Sequence, residues 1–265
     1  MNSLQRYGTT ALVTGASSGI GMSYARALAK AGINLVLIAR RESLLNALAT
    51  ELSREYGIQA HTIAQDLTDA DAADKVYENV RKAGLEIDIL VNNAGFGSHG
   101  VFEELDLERE LDMINLSCRL PVALTHKFIG GMKQRNRGAV IFLSSVAGTM
   151  PVPYMSTYSA TKAFPLFFAE SLYGEMAGTD IDVIAVAPGD TSTEFRDTAD
   201  LDNKFPIPAR SPEDVVTTTF QALGKKPSVI DGGINKFSAF MMALMPKKAL
   251  IKNNARMWKA ADSPP

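Results

Sequence analysis

The sequence of 265 residues predicts an α/β fold: one doubly wound parallel sheet of about seven strands, helices on both faces, and a C-terminal amphipathic helical tail. Three observations carry that expectation. Short apolar runs alternate with longer segments whose apolar residues recur at spacings of three and four. The runs are continuous rather than alternating, as in Leu35-Val36-Leu37-Ile38, which is how strands covered on both faces read. No linker, repeat or shift of composition interrupts the pattern, so residues 1–265 read as a single domain.

In chain order, the expected strands are Ala11–Thr14, Asn34–Ala39, Gln59–Ala64, Asp88–Val91, Ala139–Leu143 and Asp182–Val186, with a weaker last one near Ser228–Ile230. Helical periodicity covers Gly19–Lys30, Glu42–Tyr56, Ala70–Ala83, Leu107–Arg135 and Ser156–Ala177 between them. Pro165 falls inside the last of these. It removes the N–H that would bond the Thr161 carbonyl, and a kink is expected one turn beyond Lys162. The stretch 190–211 has no clear period and carries Pro206 and Pro208, as a substrate loop or a disordered segment would. Between 232 and 261 the charged residues are all basic: Lys236, Lys247, Lys248, Lys252, Arg256 and Lys259. Phe237, Phe240, Met241 and Leu244 share one helical face there, and Pro246 would end that helix. This tail suits either a closing helix packed on the domain or a neighbour, or a basic amphipathic segment touching anionic membrane.

Composition narrows the function classes. With 46% hydrophobic and 21% charged residues, the chain is neither disordered nor fibrous. A net charge of -2 leaves no basic excess for nucleic acid. The single Cys118 excludes an internal disulfide and fits a reducing compartment. His61, His99 and His126 are scattered, so no metal is expected. No secretory pattern opens the sequence and no apolar run approaches the roughly 18 residues of a membrane span. The expectation is a cytoplasmic protein, attached at most to a membrane surface.

The motifs sit where strands end. After the first strand comes Thr14-Gly15-Ala16-Ser17-Ser18-Gly19-Ile20-Gly21, whose glycines would let backbone approach a pyrophosphate at the next helix's N-terminus. The second strand ends in Ala39-Arg40-Arg41 rather than in a carboxylate, which suits the 2′-phosphate of NADP(H). Asp66-Leu67 and Asn92-Asn93-Ala94-Gly95 follow the third and fourth strands, where open α/β sheets bind ligands. Ser145 follows the fifth. Tyr158 and Lys162 stand one helical turn apart on one face, and a lysine cation there would lower the phenol's pKa of about 10 toward the working range.

These motifs, in this order, resemble the short-chain dehydrogenase/reductase family over residues 8–230. The resemblance implies a Rossmann-type dinucleotide-binding catalytic domain. It implies catalytic roles for Asn115, Ser145, Tyr158 and Lys162, with Ser145 chosen over Ser144 because it lies thirteen residues before the tyrosine, so that losing Ser144 should be mild. It implies cofactor contacts from Gly15, Ser17, Ser18, Gly19, Ile20, Gly21, Arg40, Arg41, Asp66, Leu67, Asn93, Ala94, Gly95, Tyr158, Lys162, Pro188, Gly189, Thr191 and Thr193. Thr191 departs from the family's usual Val or Ile. Phe96, Met150, Val152, Tyr154 and Met155 are the expected substrate lining, apolar and deformable. The implied activity is NADP(H)-dependent oxidoreduction of a hydrophobic ketone or secondary alcohol, as in 17β-hydroxysteroid dehydrogenase-like members and broad carbonyl reductases. A 3-oxoacyl-thioester reductase is the alternative, and a non-catalytic NADP-binding regulator the remote one. The family's usual dimer or tetramer implies pairing through the long helices.

Overall fold

The computed structural model describes residues 3–199 and 208–259. Strands β1 (Thr10–Thr14), β2 (Asn34–Ala39), β3 (Ala60–Ala64), β4 (Ile89–Asn92), β5 (Gly138–Leu143), β6 (Ile181–Ala187) and β7 (Ser228–Ile230) form one sheet in the order β3-β2-β1-β4-β5-β6-β7. Every pairing is parallel. The chain winds outward from β1 to β3, then returns to place β4 on the other side of β1. At that switch point neighbouring connections leave in opposite directions and open a crevice at the strands' carboxyl ends.

Two apolar layers hold the sheet. On one face α1 (Gly19–Lys30) and α2 (Glu42–Tyr56) pack Tyr24, Leu28, Leu45 and Leu52 against Leu35 and Leu37. On the other, α3 (Ala72–Lys82), α5 (Leu120–Arg135) and α6 (Ser156–Glu175) pack Val76, Leu124, Phe128 and Leu172 against Leu12, Val36 and Phe142. Alternate residues of one strand thus serve opposite layers, which is why these runs carry no polar alternation.

Four features of the structure refine the sequence expectations. The single helix expected over Leu107–Arg135 is α4 (Leu107–Ile114), a π-helical turn (Asn115–Arg119) and then α5. Pro121 has no N–H for the Ser117 carbonyl, and the Leu120 N–H reaches back to the Asn115 carbonyl instead. Second, α6 continues through Pro165. The Thr161 carbonyl that the proline leaves free accepts from the Cys118 thiol (Sγ at 3.9 Å), and the Lys162 carbonyl accepts from the Ser144 hydroxyl at 2.6 Å.

Third, the segment 190–211 is structured where described. It holds the short α7 (Phe195–Thr198) and a parallel bridge from Thr191 to Arg210, while 200–207 lie outside the described residues. It is followed by α8 (Pro212–Ala222), which packs Val215 and Val216 on the α1 face. Its capping box, with Ser211 and Asp214 exchanging backbone hydrogen bonds, is a helix-start signal that the sequence reading passed over. Fourth, the tail is two helices, α9 (Gly233–Ala243) and α10 (Lys247–Met257), with Pro246 between them; residues 260 and 261 lie outside the described residues.

Candidate active site

A cavity of about 930 Å³ follows the carboxyl edge of the sheet, from Arg40, Arg41 and Asp66 at one end to Met257 and Trp258 at the other. Its first half is built from strand tips. Gly15 leaves β1 at φ 67, and a Cβ there would come within 2.9 Å of Asn93 Nδ2. The tips of β1 and β4 are joined by Thr14, whose Oγ1 accepts from the N–H groups of Asn93 (2.9 Å) and Ala94 (3.0 Å). Asn93 Nδ2 in turn donates to the Thr14 carbonyl at 2.8 Å. Thr14 was missed in the sequence, since a strand-ending threonine carries no signal of its own.

Most of the expected cofactor contacts line this cavity: Gly15, Ser17, Ser18, Gly19, Ile20, Arg40, Arg41, Asp66, Leu67, Asn93, Ala94, Gly95, Tyr158, Lys162, Pro188, Gly189, Thr191 and Thr193. Gly21 does not. A Cβ there would fall onto the Gly15 carbonyl, so Gly21 packs closely behind the turn. The glycine-sized space at Gly15, the free helix N-terminus behind Ser18 and two arginines at the rim together fit a phosphate-bearing dinucleotide. Arg41 donates to Ser17 Oγ at 3.2 Å and pairs with Glu194 at 3.0 Å; Arg40 stands 3.9 Å from Asp66.

At mid-cavity, Ser145, Tyr158 and Lys162 come together. Ser145 caps a 3-10 turn (Val146–Thr149), its Oγ accepting from the Ala147 N–H at 3.1 Å. The Tyr158 ring is buried and tilted against Phe195, centroids 5.2 Å apart. Lys162 is buried too; it donates to the Leu143 carbonyl at 3.2 Å, and its Nζ lies 5.9 Å from the Tyr158 ring centre. The expected lowering of the tyrosine pKa is absent. Burial pushes the phenol up to about 12 against the pull of the Ser145 hydrogen bond, and burial likewise pushes Lys162 down to about 8. The lysine is turned toward a backbone carbonyl, so desolvation governs both groups.

Asn115 begins the π-helical turn, half-buried, and is not among the residues lining the cavity. Ser117, two residues on, is buried with no partner for its hydroxyl among the described residues, and a Cβ on Gly95 would meet both that Oγ (3.5 Å) and Lys162 Nζ (3.0 Å). Ser144, read from sequence as a bystander, is buried and holds the Lys162 carbonyl. Its role became visible only once Pro165 was seen to disturb the helix carbonyls at that point.

The far half is mainly apolar, with a few polar side chains. Phe96, Met150, Val152 and Met155 line it as expected. Tyr154 does not: it takes φ 65 in a turn and its carbonyl accepts from the Gly100 N–H at 2.9 Å. Residues that the sequence reading missed complete the lining, among them His99, Phe195, Asn235, Met242, Met257 and Trp258. The tail is tied down by His99 Nε2 on the Trp258 carbonyl (2.8 Å) and by Asn254 Nδ2 donating to the Pro151 carbonyl (2.9 Å). Among the described residues no cluster of His, Cys, Asp or Glu could hold a metal ion.

Residues 9–204 match the family described as short chain dehydrogenase. The chain is 31% identical, over 97% of its length and 98% of the relative, to a 7beta-hydroxysteroid dehydrogenase of Clostridium sardiniense. It is 33% identical, over 96% of its length and 80% of the relative, to a very-long-chain 3-oxoacyl-CoA reductase of Macaca fascicularis. A solved short-chain dehydrogenase from Sphingobium yanoikuyae in complex with NADPH superposes with a TM-score of 0.78 at 32% identity, covering 96% of this chain and 99% of the other.

Proposed function

The chain belongs to the short-chain dehydrogenase family, an oxidoreductase of CH–OH groups, and from that premise we propose that it uses NADP(H) to interconvert an apolar ketone and its secondary alcohol with Tyr158 as acid–base group. One observation carries the reading: a single cavity joins the Ser17–Arg41 rim to Ser145, Tyr158 and Lys162 and continues into an apolar chamber. The bound dinucleotide would supply or accept hydride. Gly15, Ser18, Gly19 and Ile20 would receive its pyrophosphate, Ser17, Arg40 and Arg41 a 2′-phosphate, and Pro188, Gly189, Thr191 and Thr193 its nicotinamide half.

This chain's own residues handle the proton. Ser145 Oγ, fixed by the Ala147 N–H, would hold the substrate oxygen. Tyr158, kept protonated by burial, would donate its phenolic proton to that oxygen in reduction and take it back in oxidation. Lys162 would hold the ribose and stabilise the phenolate left behind, with Asn115 positioning a water that returns the proton. Phe96, Met150, Val152 and Met155 favour an apolar substrate over a sugar or a charged acid.

A second reading, reduction of a 3-oxoacyl thioester, is favoured by the Macaca fascicularis relative and by Lys259 at the cavity's edge. Intact Asn115, Ser145, Tyr158 and Lys162 count against a non-catalytic regulator. In the same proposal the protein is cytoplasmic. It pairs with copies of itself through the α4–α6 side, where Leu107, Leu111, Phe164 and Phe167 are exposed, and it touches membrane peripherally through the tail.

Steady-state assays on hydroxysteroids, bulky aryl ketones and 3-oxoacyl thioesters, each with NADPH and NADH, test it. Turnover of an apolar ketone with NADPH well ahead of NADH is expected, and Arg41→Ala should weaken NADPH about ten- to a hundredfold. Equal efficiency with both cofactors would remove the NADP(H) assignment, and turnover confined to thioesters would select the second reading.

A further inference from the structure

The tail is amphipathic in the inverse sense. On α9 the side turned to the cavity carries Asn235, Ser238 and Met242. The opposite side carries Ile234, Phe237, Phe240 and Met241, with Leu244 at its end, and these are 63%, 66%, 61%, 47% and 65% exposed. A helix that merely closes the domain would present the reverse. At 100° per residue these positions span about a third of the helix circumference, a continuous stripe that none of the described residues covers. The next helix, α10, also lines the cavity from its inner side, through Asn254 and Met257, and exposes Lys247, Lys248, Lys252 and Arg256.

Charge decides what covers the stripe. No acidic residue occurs between 232 and 261, and every lysine and arginine of that segment is exposed. A second copy docking this surface on itself would set those cations against each other. A surface of anionic headgroups over an apolar layer meets both features at once. No described helix is long and apolar enough to cross a membrane, so the contact is made along the surface.

We propose that α9 and α10 seat the protein on an anionic lipid bilayer, the exposed stripe of α9 in the headgroup–acyl boundary and the lysines of α10 on the phosphates. The two helices that touch lipid on one side form the cavity's far wall on the other. Resting on the apolar-substrate reading, the docked protein would draw its substrate from the lipid layer rather than from water.

The test is co-sedimentation of the full-length protein with phosphatidylcholine vesicles, with and without phosphatidylserine. Trp258, the chain's single tryptophan, serves as an optical reporter beside the contact. Binding is expected only to the anionic vesicles, weakening about fivefold for each lysine neutralised in Lys247→Gln and Lys248→Gln, and strongly at high salt. Phe237→Ser with Phe240→Ser should abolish binding at low salt with an unchanged melting temperature, because both rings are exposed. Absence of binding at low salt, or equal binding to neutral vesicles, overturns the proposal. So does a Phe237/Phe240 variant that turns an oligomer into a monomer without touching vesicle binding. For delivery, the same variant should raise KM severalfold for a substrate dissolved in vesicles and leave KM unchanged for a small soluble ketone. Lipid binding without turnover of any ketone would sink the substrate reading and leave the docking intact.

Discussion

At the end of the cavity proposed to hold the dinucleotide, the walls are strand tips and a helix N-terminus, locked by backbone geometry: Gly15 in a positive-φ turn, and Thr14 stitching β1 to β4. At the end proposed for the substrate, the walls are side chains from a 3-10 turn, α7 and the two tail helices, held by contacts such as His99 on the Trp258 carbonyl. At the first end, Gly15 accepts no larger side chain without moving main chain. The second can be relined by exchanging one apolar residue for another of similar size. One scaffold can therefore keep a cofactor constant while its substrate varies, and the two ends should respond differently to mutation.

The largest effect should come where the ends meet. Tyr158→Phe keeps the buried ring against Phe195 and removes the proposed proton donor. Ketone reduction should fall by about 10²–10⁴, with NADPH affinity nearly unchanged when measured by fluorescence titration. Retention of more than about a tenth of wild-type turnover, with chemistry rate-limiting, would assign the proton to another group.

Next comes pH. Lys162 stands near 8, below the usual lysine value, because it is buried. Reduction should be flat below that pH and fall about tenfold per unit above it, as the cation beside the phenol is lost. Stability should move the other way. The unfolded chain binds the proton more tightly, so between about 8 and the unfolded lysine value of about 10.4 the folded state gains stability as pH rises. Comparing melting temperatures of wild type and Lys162→Met across that window isolates the term: any advantage of the methionine variant should be greatest below pH 8 and shrink above it. A constant difference would mean that the lysine is not carrying a buried charge.

The positions proposed for those roles could be picked out in the sequence because such chemistry demands particular residue types at particular spacings. Glycines at 15 and 19, Asn93-Ala94-Gly95, Ser145, Tyr158 and Lys162 all fall on the cavity. The strands were legible for a related reason, since a doubly covered sheet needs unbroken apolar runs. What escaped was whatever depends on how the backbone turns and packs rather than on a residue motif. Gly21 and Tyr154 look like site residues but do backbone work, one packed on the Gly15 carbonyl and the other in a positive-φ turn. The π-helical turn at Asn115 required connecting Pro121 to a missing hydrogen bond, and α10's contribution to the cavity's far wall has no motif at all.

Ser144 tests that last class. Its buried hydroxyl holds the Lys162 carbonyl at 2.6 Å, next to the carbonyl that Pro165 deprives of its helical donor. Ser144→Ala should cost about 1–3 kcal/mol of stability, since a buried acceptor loses its partner. Turnover should drop severalfold with little change in KM, because the backbone carrying Lys162 is loosened while the apolar chamber is untouched. Ser144→Thr, which keeps the hydroxyl, should restore part of both. An alanine variant with wild-type melting temperature and turnover would return Ser144 to the bystander role that the sequence suggested.

The smallest effect is expected at the rim, where the two ends of the cavity are tied by one ion pair. Arg41 comes from the end of β2 and Glu194 from the segment after β6, and they meet at 3.0 Å while 43% and 60% of their side chains remain exposed. Arg41 also holds Ser17, so the group proposed to receive a 2′-phosphate already carries a carboxylate. A dianionic phosphate arriving there has to share or displace that partner. Exposed pairs are worth about 0–1 kcal/mol, so the exchange is cheap: Glu194→Gln should tighten NADPH binding by up to about fivefold. NADH, lacking the phosphate, should bind as before, and the gain should fade at high salt. If the variant instead weakens NADPH, Glu194 aims Arg41 at the phosphate rather than competing for it, and the two ends of the cavity are coupled in the opposite sense.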